Sequence, residues 1–293
     1  MSQENQPLVS IVIPCYNHEG FVQDCIRSVI DQTYQNIELI IIDDGSKDNS
    51  VTKIQKLLEK CKARFARFEF RHRPNVGLSA TLNEALEWSR GEYFSVIASD
   101  DMIFENKTTT QVVFLEEHQT CIAVCGGISI IDQDSNEISQ RVLKANSFNF
   151  DQVIMLEHEL PAPTQMIRLE ILKKTGGYDT DIKLEDWYMW LLLAQKGELY
   201  YIPKLFSKYR SHESNTFKQI NTMHNGRMQI LELYKNHPLY QKARKRIFWI
   251  HSFELCEKSK KDAFLSVLNI LKKNKCEFFS KNFIWFFYYL MFK

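Results

Sequence analysis

The sequence predicts an α/β protein: a mostly parallel sheet flanked by helices, with a helical C-terminal extension. Short β-branched apolar runs alternate with helical stripes as far as Asp101. Each run closes on a turn rich in Asp, Asn, Gly or Ser, the punctuation of strand ends. From about Ile220 onward only helical periodicity remains.

Leu8-Val9-Ser10-Ile11-Val12-Ile13-Pro14 reads as a buried first strand ended by proline, and Cys15 to Gly20 as the loop at its C-terminal edge. Apolar residues at 21, 22, 25, 26, 29 and 30 make a helical stripe that ends near Thr33-Tyr34. Ile37 to Ile42 is a second strand, closing on Asp43-Asp44-Gly45-Ser46, so the three elements form a right-handed βαβ unit. Val51 to Leu58 is expected as a helix, Phe65 to Phe70 as a third strand, and Arg71 to Ser79 as a basic, turn-rich loop. Ala80 to Trp88 is helical, and Tyr93 to Ala98 is a strand that delivers Ser99-Asp100-Asp101 to the sheet edge. Gln111 to His118 follows as a helix, Ile122 to Ile131 as a strand, Thr164 to Arg168 as a strand beyond Pro161-Ala162-Pro163, and Leu199 to Pro203 as a short last strand. Residues 132 to 160 carry no specific signal.

The chain of 293 residues has room for one large domain, or for one domain and an extension. No charged leader with an apolar stretch and cleavage site opens it, and its seven cysteines lack paired spacing. Both point to reduced core cysteines and a cytoplasmic location. The net charge of +1 conceals a split: from Lys204 onward there are 18 Lys and Arg against 6 Asp and Glu, and before it 19 against 30. A basic last third suits an anionic membrane surface or the acidic front of another copy. Nucleic acid is not an expected partner, because the basic cluster 242–246 has no interleaved aromatics or reading motif.

Ser99-Asp100-Asp101 at a strand end suits a hard divalent cation facing phosphate, or simply a cap for the next helix. Asp44 at a neighbouring strand mouth could accept a base N–H, with Tyr16 packing on base or ribose; a tight turn with a cap is the plainer alternative. Arg71 or Arg73 could meet diphosphate oxygens. No G-x-G-x-x-G or G-x-x-x-x-G-K-[ST] occurs, which excludes the usual dinucleotide and P-loop readings. Glu185-Asp186 opens an apolar helical run, where acidic residues serve either chemistry or the helix dipole.

Val9-Ser10-Ile11-Val12-Ile13-Pro14-x-Tyr16-Asn17, Ile41-Ile42-Asp43-Asp44-Gly45-Ser46-x-Asp48, Asn75-x-Gly77-x-Ser79 with Asn83, and Ser99-Asp100-Asp101 together resemble inverting glycosyltransferase family 2, which has the GT-A fold. Gly176-Gly177-Tyr178-Asp179 before Glu185-Asp186 is similar to that family's second block. The resemblance implies a catalytic domain over residues 1–215, leaving 216–293 as a helical region for membrane interface or oligomerisation. It implies Asp186 as catalytic base, Asp44 as base reader, Asp100 beside ribose and metal, and Asp101 as the metal ligand of the DXD position. Pro14, Tyr16, Asn17, Asn75, Gly77 and Asn83 fall on the donor side. Tyr209-Arg210-Ser211-His212 resembles a stretch that closes over the donor, which puts Arg210 on the diphosphate and His212 on the metal. Thr81 departs from the pattern, since many members place an arginine there. The implied cofactor is Mn²⁺ or Mg²⁺, and the implied donor a nucleotide-diphosphate sugar, with a UDP-sugar favoured. The acceptor would be a hydroxyl of a glycan or lipid-linked glycan, in cell-surface polysaccharide synthesis. A sugar nucleotidyltransferase is the rival enzyme, but Cys15 to Gly20 lacks the Gly- and Lys-bearing loop it needs; a non-catalytic scaffold of the same fold is the other rival.

Phe283 to Phe292 is apolar on every face, yet as a helix it spans about 15 Å, half of a roughly 30 Å bilayer core. It is expected either at a membrane interface, peripheral on the inner face, or buried against the catalytic domain or a second protomer as a homo-oligomer.

Overall fold

The computed structural model describes residues 6–212, 219–273 and 280–292. Its strands are β1 (Val9–Cys15), β2 (Ile37–Asp43), β3 (Arg67–His72), β4 (Tyr93–Val96), β5 (Met102–Ile103), β6 (Cys121–Ile131), β7 (Glu137–Arg141), β8 (Asn146–Phe148), β9 (Met166–Arg168) and β10 (Glu198–Arg210). The helices are α1 (Val22–Ile30), α2 (Ser50–Gln55), α3 (Leu58–Arg64), α4 (Leu78–Trp88), α5 (Lys107–Glu117), α6 (Phe150–Ile154), α7 (Leu169–Lys174), α8 (Glu185–Ala194), α9 (Ile220–Glu232), α10 (Tyr240–Cys256), α11 (Lys260–Lys273) and α12 (Lys281–Phe292). One compact unit runs to Val153 and from His158 to His212; Ile154–Glu157 group with the helices after His212 in a second.

All the strands join one sheet in the order β3-β2-β1-β4-β9-β6-β10-β5, with β7 beside β6 and β8 beside β10. β1 pairs in parallel with β2 and β4, β2 with β3, and β6 with β10, while β9 runs antiparallel between β4 and β6. β1 and β2 are covered on both faces: Ile11, Ile13, Ile37, Leu39 and Ile41 on one and Val12, Ile40 and Ile42 on the other are each at most 1 % exposed. Burying each such side chain contributes about 1.5–3 kcal/mol. Charged groups are buried in this unit too, Glu38, Lys107 and Arg210 among them. The ammonium of Lys107, at the start of α5, donates to Ser95 Oγ at 2.8 Å and to the Gln165 carbonyl at 3.1 Å, and burial pushes it down to about 7.

Two expectations change. The helix expected over 51–58 is two short ones, α2 and α3, broken around Lys56-Leu57, and the third strand begins later, at Arg67. The strand expected to stop at Pro203 runs on to Arg210. Pro203 is exposed and falls within a register shift between Ile202 and Leu205, where its missing N–H disturbs no regular ladder.

That shift faces Gly126 and Gly127 of β6. A Cβ on Gly126 would lie 2.4 Å from the Phe206 ring and 2.8 Å from the Lys204 carbonyl. Gly126→Ala should therefore destabilise the protein by about 1–3 kcal/mol, read as a lower urea midpoint at unchanged slope; an unchanged midpoint would show that the two strands part at no cost.

Candidate active site

Because β1 lies between β2 and β4 and is parallel to both, the loops at their C-terminal ends open side by side. Polar side chains brace them against one another. Asn17, at φ 55°, accepts the Lys47 N–H on its amide oxygen at 2.8 Å, and its own N–H donates to Ser46 Oγ at 2.8 Å. The His18 N–H donates to Ser50 Oγ at 2.9 Å and the Glu19 N–H to Asp48 at 2.9 Å. Asp43 is fully buried; it accepts the Ser46 N–H at 2.9 Å and the Ser46 hydroxyl at 2.6 Å, and pairs with His72 at 2.9 Å. Gly45 sits at φ +76°, and a Cβ there would meet the Asn75 nitrogen at 2.6 Å, so the turn admits only glycine.

Asp44 is 5 % exposed. Its Oδ1 accepts the Val76 N–H and its Oδ2 the Gly77 N–H, both at 2.9 Å, and Arg73 forms a close ion pair with Oδ1. Arg73 also donates to Glu84 at 2.6 Å and to Thr81 Oγ1 at 2.9 Å. Arg71 pairs with Glu84 at 2.9 Å and lies over the Trp88 ring. Both arginines expected near diphosphate thus pair with Glu84, Arg73 part-buried and Arg71 half-exposed. Around Asp44 the rim is apolar and open: Tyr16 is 43 % and Val76 56 % exposed.

Beyond β4 the acidic pair divides. Asp101 is 2 % exposed and its Oδ1 accepts the Arg210 N–H at 2.8 Å. Burial, reinforced by the adjacent Asp100, raises its carboxyl well above the usual range. Asp100 Oδ2 instead lies 2.8 Å from His212 Nε2 and 3.9 Å from His18 Nε2. One ligand atom from each of His18, Asp100 and His212 fits within 4.8 Å of the others, a mixed nitrogen and oxygen set that suits a divalent transition metal. His18 Nδ1 meets Ser99 Oγ at 2.7 Å, which orients the ring, and burial lowers its pKa toward the neutral, ligating form. Phe21 stacks on His212 with ring centroids 5.8 Å apart.

Arg210, expected on the diphosphate, is 1 % exposed and turned to the main chain. Its Nε donates to the Asp100 carbonyl at 2.8 Å, and one terminal nitrogen donates to the Asp132 and Gln133 carbonyls and Ser135 Oγ at 2.9–3.0 Å. Asn83, expected at the donor, clamps the glycine turn instead. It donates to the Tyr178 carbonyl and accepts the Tyr178 N–H, both at 2.7 Å. Pro14 is the penultimate residue of β1, Asn75 is exposed on the rim, and Gly77, at φ 94°, precedes α4. Asp186 lies in the first turn of α8, where it accepts the Trp187 N–H at 2.6 Å. Tyr209, just before Arg210, joins the two halves: burial pushes its phenol up to about 12, with further contributions from Asp101, Asp100 and Asp186. Glu213, Ser214 and Asn215, next along the chain, lie outside the described residues.

Sequence reasoning did not single out His18; of the residues expected around a metal, the structure groups Asp100 and His212 with it, while Asp101 is bonded to the Arg210 N–H. The signal for His18 was the loop at the end of β1, beside the strand that carries Asp100.

The profile of glycosyl transferase family 2 matches residues 10–176. An uncharacterized glycosyltransferase of Haemophilus influenzae is 31% identical over 220 residues, covering 74% of this chain and 80% of that protein. One from Rickettsia felis is 28% identical over 231 residues, 77% of this chain but 37% of its own length, so the chain spans little more than a third of that relative. The fold is shared with S. aureus TarS 1-349 in complex with UDP-GlcNAc (TM-score 0.63, 18% identity, 87% of this chain and 74% of that one). It is shared equally with the mannosyltransferase PcManGT from Pyrobaculum calidifontis in complex with GDP-Man and Mn²⁺ (TM-score 0.63, 14% identity, 99% and 86%).

Glu185, beside Asp186, is pushed up to about 8 by burial and then by its neighbour. The folded state therefore holds a proton that the unfolded chain releases above about 4.5, and stability falls as pH rises from 4.5 toward 8. In Glu185→Gln this fall should flatten, seen as a smaller drop in Tm between acid and mildly alkaline buffers; parallel Tm profiles for the two proteins would refute it.

Proposed function

Because the chain belongs to glycosyl transferase family 2, we propose that it moves a sugar from a nucleotide-diphosphate donor to a hydroxyl of a glycan or lipid-linked glycan, with inversion at the anomeric carbon. The observation that carries this reading is the convergence of Asp100, His212 and His18 at the sheet edge.

The acceptor oxygen attacks the anomeric carbon as the bond to the diphosphate breaks on the opposite face. Asp186 takes the hydroxyl proton, which becomes acidic as the new bond forms. Its place at the start of α8 favours the ionised carboxylate. Asp100, His212 and His18 would hold Mn²⁺ or Mg²⁺, which when bound offsets the charge of the departing nucleoside diphosphate. Mn²⁺ is favoured by the two imidazoles and by the similarity to a mannosyltransferase crystallised with that ion.

On the donor side, Tyr16 and Val76 offer an apolar surface for a base, and Asp44 Oδ2, used among the described residues only by Gly77, keeps acceptor capacity for a base N–H. A UDP-sugar fits that edge and is the donor type held by TarS. The hairpin of β6 and β7, whose Glu137–Arg141 strand is wholly exposed, is a candidate acceptor wall. Cell-surface polysaccharide synthesis is the setting that such a donor and acceptor suggest.

Two substitutions separate the roles. Asp186→Asn should lower kcat by about 10²–10⁴-fold while leaving Mn²⁺-dependent UDP affinity, measured by calorimetry, unchanged. Asp100→Ala should weaken that affinity together with activity. If both variants bound UDP and Mn²⁺ equally well, the division between base and metal holder would be wrong.

A further inference from the structure

We propose that the outward face of α12 is a docking surface for an anionic lipid bilayer. α12 is double-faced within its own helical unit. Phe283 and Phe286 are buried, and Phe286 packs against Trp249 and Phe253 of α10 at centroid distances of 6.2 and 5.9 Å. The other face is exposed: Ile284 is 64 %, Trp285 63 %, Phe287 40 % and Tyr288 58 % exposed. Trp285 and Tyr288 lie one helical turn apart, with their rings 6.0 Å from each other.

Such a face has three conceivable occupants, and composition and charge choose between them. Trp and Tyr, apolar rings with polar tips, are the side chains that settle at headgroup depth. Exposed Lys281 begins the same stripe as Trp285 and Tyr288, and α12 holds no acidic residue. In α11 exposed Lys260 and Lys261, followed by one exposed acid, Asp262, precede exposed Phe264 and Leu265. The excess of 15 Lys and Arg over 6 Asp and Glu from Glu213 onward makes an anionic surface the complementary one. A second copy offering the same face would bring two basic surfaces together. One offering its acidic front would make a head-to-tail contact that extends unless it closes into a ring.

At 12 residues α12 is about 18 Å long, and no described helix is long and apolar enough to cross a membrane, so this surface lies on the bilayer. The inference stands on the helical unit alone and does not depend on the transferase reading.

The test is sedimentation of the full chain with vesicles of phosphatidylcholine, or of phosphatidylcholine mixed with phosphatidylglycerol. The protein should sediment with the anionic vesicles, remain in solution with the neutral ones, and be released by high salt. The double variant Trp285→Ser, Tyr288→Ser should bind anionic vesicles at least about tenfold more weakly. Both residues are exposed, so its Tm should stay unchanged, as should UDP binding. Undiminished vesicle binding by the variant, or failure of the wild type to bind anionic vesicles, would overturn the proposal. So would loss of a dimer in the variant when the wild type has no vesicle affinity.

Discussion

The buried guanidinium of Arg210 is the constraint on which the site depends. A fully buried cation is costly unless hydrogen-bonded, and here Nε and one terminal nitrogen meet the Asp100, Asp132 and Gln133 carbonyls and Ser135 Oγ, while the main-chain N–H donates to Asp101. The acceptors come from the loop after β4 and the turn after β6, so one side chain fixes the distance between two sheet edges. The Arg210 guanidinium also lies 4.7 Å from the Phe21 ring, which in turn stacks on His212. The imidazole facing Asp100 is thus held by the neighbour of the residue that holds Asp100 itself.

The same economy governs the loops after β1 and β2. Asn17, Asp43, Ser46, Asp48 and Ser50 serve main-chain N–H groups or one another, so these polar residues are framework. Asp44 does both: its two oxygens receive consecutive N–H groups ahead of α4 while its carboxylate stays at the rim. A ligand entering there meets a surface whose shape is already set, so that little ordering is left for binding to impose.

This division explains what the sequence could and could not reveal. The parallel strands were legible because strands buried on both faces are continuous apolar runs, and the carboxylates at their ends were legible as candidates because strand ends in such sheets face the ligand crevice. β5 and β7 escaped because a two-residue strand and a fully exposed one have no apolar signature. Asn83 and Arg210 were misread for a different reason. Residue type and spacing cannot tell a polar side chain that touches ligand from one that fastens backbone, and both spend their hydrogen bonds on partners distant in sequence, Tyr178 and Asp100. His18 is the converse case, a residue that looked like loop filler until β1 and β4 were seen to be neighbours.

β10 then acquires a role beyond closing the sheet. Successive residues of a strand point to opposite faces, so Tyr209 and Arg210 reach different surroundings from adjacent positions. Arg210 secures the loop that carries Asp100, and Tyr209 lies where the fields of Asp100, Asp101 and Asp186 overlap. The donor-side cluster and the proposed base are therefore referred to one rigid element. The register shift at Pro203 matters for that reason: opposite Gly126 and Gly127, it sets how far along β6 the strand advances before it ends. A displacement there would move Tyr209, Arg210 and His212 together, disturbing the Asp100–His212 contact of the proposed metal site in one step.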